Sequence, residues 1–175
     1  MRTLPANANA NANANATVTV VDSPIGLLTL VATEGVLTGL YMVEQRHRPA
    51  LELPRDDHGL PAAREQLAAY FDGELKDFDV PVALVGTPFQ QQVWAALTSI
   101  PYGDTWSYGE LAARLGRPAA SRAVGLANGR NPISIVVPCH RVVGSNGSLI
   151  GYGGGLARKT WLLALETGVR GPLPE

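Results

Sequence analysis

The sequence predicts an α+β fold in two parts, a small antiparallel sheet with one helix followed by a mainly helical half. Near the N-terminus, short β-patterned segments lie close together, and Pro24 and Gly26 mark a hairpin loop between the first two. Apolar residues then recur at helical spacing between Leu60 and Phe71. Beyond residue 86, two capping boxes and further helical spacing indicate the second, helical part.

The N-terminal part is predicted to be a meander of three strands. The expected strands are Thr17–Val21, Leu27–Ala32 and Val36–Met42. The polar residues 46–59 form a loop, and the helix that follows ends at Gly73. Ala6–Ala16 alternates Ala and Asn, but Asn is a poor strand former and neither face of the alternation is apolar. We therefore expect residues 1–16 to be a disordered tail without chemistry.

Composition limits the possible classes of protein. With 175 residues, of which 46% are hydrophobic, the chain can form one domain or two small ones. No apolar run approaches the roughly 20 residues of a membrane helix, and no signal sequence is evident, so we expect a cytoplasmic protein. A single cysteine, Cys139, excludes an internal disulfide and multi-cysteine zinc sites. The three histidines show no ligand spacing, so we expect no metal.

Charge is distributed unevenly along the chain. The net charge of −1 by itself argues against binding to nucleic acid. Residues 1–86, however, carry 6 basic and 11 acidic side chains, whereas residues 87–175 carry 8 basic and 4 acidic ones. A basic second half indicates contact with a polyanion, although chance segregation of surface charge would give the same distribution.

The second half contains a candidate helix-turn-helix. A first helix starts at the N-cap Thr87, and Ser107 starts a second helix that Gly116 ends. The third helix is predicted from Pro118 to about Asn128. Two short helices with such a connection have the dimensions of a helix-turn-helix, but any helical hairpin has the same outline.

The last of these helices is built almost entirely of small residues. In Ala119–Gly125 a single cation, Arg122, stands among them, whereas base reading in the major groove normally uses long polar side chains. A slim helix with one arginine suits the narrow minor groove, with Arg122 projecting into the duplex. The alternative is a helix that packs tightly through small residues and leaves its arginine in solvent.

The only cysteine follows a predicted buried strand, Ile133–Val137. A lone cysteine is more often a small apolar core residue than a nucleophile. The imidazole of His140 and the guanidinium of Arg141 nevertheless favour the thiolate of Cys139, which is the reactive form.

The last predicted helix spans Leu156–Glu166, with Trp161 and Leu165 facing the core. Its final residue lies far enough along the chain to return to the cysteine. Glu166 could then orient the imidazole of His140 and complete a Cys–His–Glu relay.

Residues 131–144, Asn-Pro-Ile-Ser-Ile-Val-Val-Pro-Cys-His-Arg-Val-Val-Gly, resemble the active-site signature of the O6-alkylguanine-DNA alkyltransferases. The resemblance extends from about Thr87 to Gly168 and includes the helix-turn-helix in the correct order. The N-terminal half resembles the family only loosely, mainly in its strand pattern. The resemblance implies a ribonuclease-H-like domain over residues 17–84 and a DNA-binding, active-site domain with a winged helix-turn-helix over residues 87–170.

The resemblance also implies an activity: transfer of the alkyl group from O6-alkylguanine in double-stranded DNA, and also from O4-alkylthymine, to the protein's own cysteine. The base is flipped out of the duplex, and each molecule acts once, because the thioether product cannot be hydrolysed. The protein would act as a monomer, without a cofactor and without a membrane partner.

The catalytic roles implied by the resemblance centre on Cys139 as the alkyl acceptor. His140, acting through a water, and Glu166 would activate it. Asn131 would be a hinge that bonds near the cysteine and links its segment to the recognition helix. Tyr152 would donate to the guanine oxygen as its alkyl bond breaks.

Other implied roles concern DNA. Tyr108 would crowd a phosphate, help rotate the nucleotide and bond the flipped base, and Arg122 would fill the space left in the duplex. Gly153 stands where some relatives have serine, so a hydroxyl contact is lost while a backbone N–H remains, and we expect altered substrate tolerance. The remaining expected DNA and substrate contacts are Ala120, Ser121, Ala123, Gly125 and Arg130.

Three other functions compete with this one. A protein that recognises alkylated bases without repairing them would have another residue in place of Cys139. A cysteine hydrolase would need a histidine from elsewhere and an oxyanion hole, and it leaves the helix-turn-helix unexplained. A transcription regulator is conceivable as an added role, but no ligand-binding domain is evident.

Overall fold

The computed structural model describes residues 2–3 and 15–169, and the first part of the chain forms a five-stranded sheet of order β1-β5-β4-β3-β2. Its strands are β1 (Arg2–Thr3), β2 (Ala16–Val21), β3 (Leu28–Thr33), β4 (Val36–Met42) and β5 (Pro81–Val82). Strands β2, β3 and β4 form the antiparallel meander that the sequence predicts, whereas β5 pairs in parallel with β1 and β4.

The interpretation of residues 1–16 as a disordered tail is wrong near both ends of that segment. Arg2 and Thr3 pair with residues 81–82, and Ala16 is the first residue of β2. Residues 4–14, which include most of the Ala-Asn alternation, lie outside the described residues. Local propensity does not reveal β1, because a two-residue strand is determined by the strand it pairs with.

Helix α1 (Pro61–Phe71) buries Ala63, Leu67 and Tyr70, which recur at the predicted helical spacing. Buried apolar residues of the sheet and α1 form one core with those of the C-terminal helices. The two parts of the chain are therefore packed together without a solvent layer between their apolar faces.

The C-terminal part contains α2 (Pro88–Leu97), α3 (Tyr108–Arg114), α4 (Ser121–Gly129) and α5 (Leu156–Glu166). Both predicted capping boxes, at Thr87 and Ser107, are present. The third predicted helix begins as a separate 3₁₀ turn, Pro118–Ala120, and Gly116 adopts a φ of 69° between α3 and that turn. The α+β fold class is confirmed. Within residues 2–3 and 15–169, no helix is long and apolar enough to cross a membrane.

A small parallel sheet joins the start of α3 to the cysteine segment. Strand β6 (Trp106–Ser107) pairs with β7 (Val142–Val143), with Trp106 opposite Val142 and Ser107 opposite Val143. Because β7 directly follows residues 139–141, this pairing places the N-terminus of the helix-turn-helix next to the cysteine.

The predicted strand Ile133–Val137 is wrong, although its residues are buried. Val137 N–H donates to the Ile133 carbonyl at 3.0 Å, and Ile135 has a φ of 71°, so the segment is a tight turn. A short buried apolar run has the same hydrophobic pattern in a strand and in such a turn, and periodicity cannot separate the two.

This turn is attached to the N-terminal sheet. Leu40 N–H in β4 donates to the Pro132 carbonyl at 2.9 Å, and Ser134 N–H donates to the Leu40 carbonyl at 3.1 Å. The segment before the cysteine thus pairs with β4 at Leu40. The two-residue strand β5 pairs with β4 only at Leu37 and leaves this part of β4 free for it. The sheet therefore supports the backbone that presents the candidate site.

Candidate active site

Cys139 begins a 3₁₀ turn, Cys139–Arg141, and only 4% of the residue is exposed. The Cys139 N–H donates to the Val137 carbonyl at 2.8 Å. The side-chain amide of Asn131 donates to the same carbonyl at 2.8 Å, and its Oδ1 accepts from the Ile133 N–H at 3.0 Å. Asn131 therefore holds both ends of the turn that presents the cysteine.

Helix α4 also contacts the cysteine backbone. Asn128, on its buried face, donates from Nδ2 to the Cys139 carbonyl at 3.3 Å. The other amide atom of Asn128, Oδ1, is buried and has no hydrogen-bond partner among the described residues. A shift of α4 would thus move the backbone of Cys139, because Asn128 is bonded to its carbonyl.

Glu166 accepts hydrogen bonds from four residues. Its Oε1 accepts from the Tyr70 hydroxyl at 2.7 Å, from His140 Nε2 at 2.8 Å and from Arg141 at 2.9 Å. Its Oε2 accepts from Arg141 Nε at 2.9 Å and from Gly103 N–H at 3.2 Å. Burial opposes the charge, but the hydrogen bonds and charges of His140 and Arg141 lower the pKa of Glu166 to about 2. Across the described part of the chain, no group of three His, Cys, Asp or Glu side chains could hold a metal.

His140 is fully buried beside this carboxylate. Burial lowers the pKa of His140 below its ordinary value, although the hydrogen bond and charge of Glu166 oppose the shift. The imidazole is therefore neutral, with its proton on Nε2, where Glu166 accepts it. Its Nδ1 is buried and has no partner among the described residues, which leaves a proton acceptor one residue from the cysteine.

The neighbours of Cys139 in sequence do not hold it as a thiolate. Burial raises the pKa of the thiol above its ordinary value, and the effects that lower it include hydrogen bonding by Asn131 and the charge of Lys159. Arg141 is instead engaged in its ion pair, and His140 is neutral. The expectation that these two side chains favour the thiolate by their charge is wrong.

The pKa values of two tyrosines, Tyr108 and Tyr152, are affected by the charge of an ionised Cys139. Tyr108, the first residue of α3, donates its hydroxyl hydrogen to the carbonyls of Ile150 and Gly151, both at 3.2 Å. Burial and then the negative charge of an ionised Cys139 raise the pKa of Tyr108, and the same two effects raise that of Tyr152 well above its ordinary value. Both hydroxyls therefore stay protonated at neutral pH.

The predicted DNA contacts in and next to α4 are mostly small residues on a partly exposed surface. Arg122, Ala123 and Arg130 are exposed, and Ala120, Ser121 and Gly125 are partly buried. Leu126, four residues after Arg122 and on the same face, is 66% exposed. A Cβ on Gly125 would lie 3.6 Å from the Tyr108 ring, so a side chain longer than alanine would press on that tyrosine.

Two neighbouring glycines differ in the space around them. The Gly153 carbonyl accepts from Arg46 N–H at 2.8 Å, and a Cβ there would stay at least 3.5 Å from other atoms. A Cβ on Gly154 would overlap the sulfur of Met42 and lie 2.8 Å from the Tyr152 ring. A side chain at Gly154 would therefore displace Met42 or the Tyr152 ring.

Family models match both parts of the chain. A model described as the ribonuclease-like domain of 6-O-methylguanine DNA methyltransferase matches residues 17–84, and one described as its DNA binding domain matches residues 88–168. The chain belongs to the 6-O-methylguanine DNA methyltransferase family.

Relatives in this family are similar over most of their length. The methylated-DNA–protein-cysteine methyltransferase of Mycolicibacterium paratuberculosis is 60% identical over 150 residues, which cover 83% of this chain and 89% of the relative. That of Methanosarcina acetivorans is 50% identical over 151 residues, covering 84% and 96%. The crystal structure of Mycobacterium tuberculosis OGT in complex with DNA is 54% identical, with a TM-score of 0.84, and covers 88% of this chain and 94% of that one.

Several side chains that support the site of this 6-O-methylguanine DNA methyltransferase family member were not identified from sequence. Tyr70, Asn128 and Lys159 each lie on the buried face of a helix, where a polar group at apolar spacing is a detectable signal. The Ser134 hydroxyl donates to Gln45 Oε1 at 3.2 Å, a contact between residues 89 positions apart that no local pattern indicates.

Proposed function

We propose that this chain transfers the alkyl group of O6-alkylguanine in double-stranded DNA to Sγ of Cys139, once per molecule. The observation that carries the proposal is the position of this single cysteine, buried next to the His140–Glu166 pair and joined through Asn128 to the helix-turn-helix. The relatives named above are methylated-DNA–protein-cysteine methyltransferases, which supports the same reaction in this chain.

In the transfer step, Sγ forms a bond to the alkyl carbon while the bond from that carbon to O6 breaks. The electron pair of the broken bond remains on O6. A soft thiolate suits displacement at a saturated carbon, and the thioether product is not cleaved by water. The cysteine is therefore consumed, and turnover stops at one.

Proton movements accompany the transfer. The neutral His140, with its unpaired Nδ1, takes the thiol proton through a water, and Glu166 stabilises the imidazolium that forms. Tyr152, which is protonated before the reaction, passes its hydroxyl proton to the guanine, which leaves as the neutral base. The proton that His140 took from the thiol replaces it on Tyr152, so that in sum one proton moves from the thiol to the base. Asn131 keeps the cysteine turn in place during these changes.

DNA binding and base extrusion use α4 and the start of α3. The small residues of α4 allow close approach to the minor groove, and the exposed Leu126 adds the apolar contact that minor-groove proteins often make. Arg122 fills the space in the base stack, and Tyr108 crowds a phosphate and bonds the flipped base. Extrusion costs a few kcal/mol, and these contacts offset part of that cost.

The proposal includes action as a monomer in the cytoplasm, without a cofactor, and O4-alkylthymine as a second substrate. One chain supplies the nucleophile, the proton acceptor and the proton donor, and the DNA supplies the alkyl group. No further reactant is needed for the bonds that form and break.

The test is intact-mass spectrometry after mixing with a duplex that contains O6-methylguanine. We expect a mass gain of one methyl group, located by peptide mapping at Cys139, with a plateau at one methyl per protein molecule. A duplex with unmodified guanine and the Cys139→Ala variant are the controls, and the variant should keep its affinity for DNA. Repair without a gain in protein mass, or continued release of repaired DNA in excess substrate, contradicts the proposal.

A further inference from the structure

Helix α5 carries in its first turn an arginine that joins three separate parts of the chain. Arg158 Nε donates to the Ile25 carbonyl at 3.0 Å. Its Nη1 donates to the Val43 carbonyl at 3.1 Å and to the Gly154 carbonyl at 2.9 Å. Ile25 lies in the hairpin loop between β2 and β3, and Val43 directly follows β4. The side chain thus fastens the loop before α5 to two loops of the N-terminal sheet.

Carbonyl groups alone hold this guanidinium. Within residues 2–3 and 15–169, no carboxylate lies at ion-pair distance from Arg158. Its three acceptors come from positions 133, 115 and 4 residues earlier in the chain, so only the folded protein brings them together. The five N–H donors of arginine form a rigid fork, which can fix several backbone segments at once. Arg158 is therefore placed to set the relative position of these loops.

The Gly154 carbonyl connects Arg158 to the proposed proton donor, Tyr152. Gly154 is buried, and a Cβ on it would lie 2.8 Å from the Tyr152 ring and would overlap the sulfur of Met42. The Tyr152 hydroxyl itself donates to Met42 Sδ at 4.0 Å. Because the backbone of Gly154 packs directly against the tyrosine ring, a displacement of its carbonyl would move that ring.

The same loop has a second attachment to the N-terminal part. The Gly153 carbonyl accepts from Arg46 N–H at 2.8 Å. The neighbouring Gln45 accepts with its Oε1 from the Ser134 hydroxyl at 3.2 Å. Residues 42–46 therefore touch both the loop that carries the proposed proton donor and the turn that carries the cysteine.

We propose that Arg158 is a positioning residue for Tyr152, which fastens the loop of this proton donor to the N-terminal sheet and so holds the hydroxyl where the guanine leaves. The inference rests on the proposed function, because Tyr152 has this task only if guanine is the leaving group. Arg158 acts through Tyr152 and not on the substrate. The N-terminal sheet thereby contributes to the reaction by setting the position of the proton donor.

The charge of Arg158 favours the same step. Burial and the negative charges of an ionised Cys139 and of Glu166 raise the pKa of Tyr152, whereas the positive charge of Arg158 opposes that rise. When Tyr152 passes its proton to the guanine, negative charge develops on the phenol oxygen. A fixed cation favours this charge without having to move during the reaction.

The experiment compares two alkyl donors whose leaving groups differ in their need for a proton. Guanine that leaves from free O6-benzylguanine takes the proton of Tyr152, whereas iodide that leaves from methyl iodide takes none. Arg158→Met should slow alkylation of Cys139 by O6-benzylguanine by roughly tenfold to a hundredfold, the cost of a misplaced proton donor. The rate with methyl iodide should stay unchanged. Intact-mass spectrometry with peptide mapping measures both rates.

Three further variants control the interpretation. Arg64→Met removes a half-buried cation of α1 and should change neither rate. Arg158→Lys keeps the charge but cannot bridge three carbonyls, so it should restore only part of the rate with O6-benzylguanine. In a Tyr152→Phe background, Arg158→Met should cause no further loss with O6-benzylguanine, because the donor that it positions is already gone.

An equal fall with both alkyl donors would assign Arg158 to the fold or to the thiol, and the proposal would be wrong. A further loss from Arg158→Met in the Tyr152→Phe background would contradict it as well. If Arg158→Met does not fold, Arg158→Gln, which keeps one amide donor for a carbonyl, takes its place in the same comparison.

The proposed function and this inference give different results when they fail. No transfer from O6-alkylguanine by the unaltered protein contradicts the proposed function, and the inference with it. Transfer by the unaltered protein that Arg158→Met leaves at the same rate contradicts only the role of Arg158.

Discussion

His140 Nε2 lies 2.8 Å from Oε1 of Glu166, and both side chains are fully buried. Since the carboxylate is ionised and the imidazole neutral, this contact fixes the imidazole proton on Nε2 and leaves Nδ1 as an acceptor. The sequence predicts the pairing of these two residues, but its effect differs from the expected one. The pair supplies a base for the thiol proton and does not supply a positive charge.

The first prediction concerns this base. His140→Ala should slow methyl transfer from duplex DNA by roughly 10²–10⁴-fold, the usual contribution of a positioned proton acceptor. Glu166→Gln should cause a smaller loss, because an amide can still accept from Nε2 but does not stabilise an imidazolium. Single-turnover rates measure both effects. Glu65→Gln, on an exposed part of α1, is the surface control and should react at the normal rate.

The second prediction concerns stability in acid. The pKa of Glu166 falls from 4.5 to about 2 on folding, so its contribution to the free energy of unfolding is complete above pH 4.5 and is lost as pH falls toward 2. The contribution is on the order of 3 kcal/mol. His140, whose pKa is also lowered by burial, acts in the same direction at higher pH.

Urea unfolding at a series of pH values checks this. The free energy of unfolding should fall more steeply between pH 5 and pH 3 in the unaltered protein than in Glu166→Gln, which has no carboxyl at that position. Parallel curves for the two proteins would show that the hydrogen bonds from four residues to the Glu166 carboxylate add nothing to the free energy of unfolding.

Elements that follow local sequence rules could be predicted, whereas buried charged residues could not. The strands of the meander and both capping boxes follow local rules, and they were predicted nearly to the residue. Helix α5 has its predicted bounds, and Trp161 and Leu165 pack against the core as expected, although both are only partly buried. The hydrophobic pattern does not indicate that Lys159 is fully buried on the same helix, because a buried charge satisfied by distant carbonyls breaks the usual pattern.

The cysteine turn shows a different limit. Ile133–Val137 has the composition of a buried strand, yet tertiary contacts determine its conformation: Leu40 bonds both sides of Ile133, and Asn131 closes the turn. The hydroxyl of Tyr70 reaches Glu166 across 96 residues. The spacing of Tyr70 indicates that it is buried, but its partner is determined by the packed fold and leaves no local signal.

The third prediction uses the two adjacent glycines as a matched pair. Gly154→Ala should lower stability by about 1–3 kcal/mol and slow transfer, because its Cβ would displace Met42 or the Tyr152 ring. Gly153→Ala and Gly153→Ser should fold normally, because every neighbour stays at least 3.5 Å from the new Cβ. The serine variant should also transfer methyl groups, with changed preference among alkyl groups.

Thermal unfolding and single-turnover transfer are measured for each glycine variant. Equal stability of Gly153→Ala and Gly154→Ala would mean that Met42 moves aside at no cost. Tyr152 would then not be positioned by the packing of this loop.

The last prediction separates two roles of the exposed Arg122. An arginine that contacts only phosphate adds salt-dependent affinity, and its loss reduces the salt slope of DNA binding by about one. An arginine that fills the base stack stabilises the extruded nucleotide instead. Arg122→Ala should therefore slow transfer from duplex DNA far more than transfer from free O6-benzylguanine, which needs no extrusion.

Tyr108→Phe is the matched comparison, because it removes a hydroxyl that contacts the loop of Ile150 and is expected to reach both base and phosphate. It should slow both reactions. The same single-turnover assay measures both substrates for both variants. An equal loss on the free base and in duplex DNA for Arg122→Ala would assign that residue to the fold or the pocket, and its role in the base stack would be abandoned.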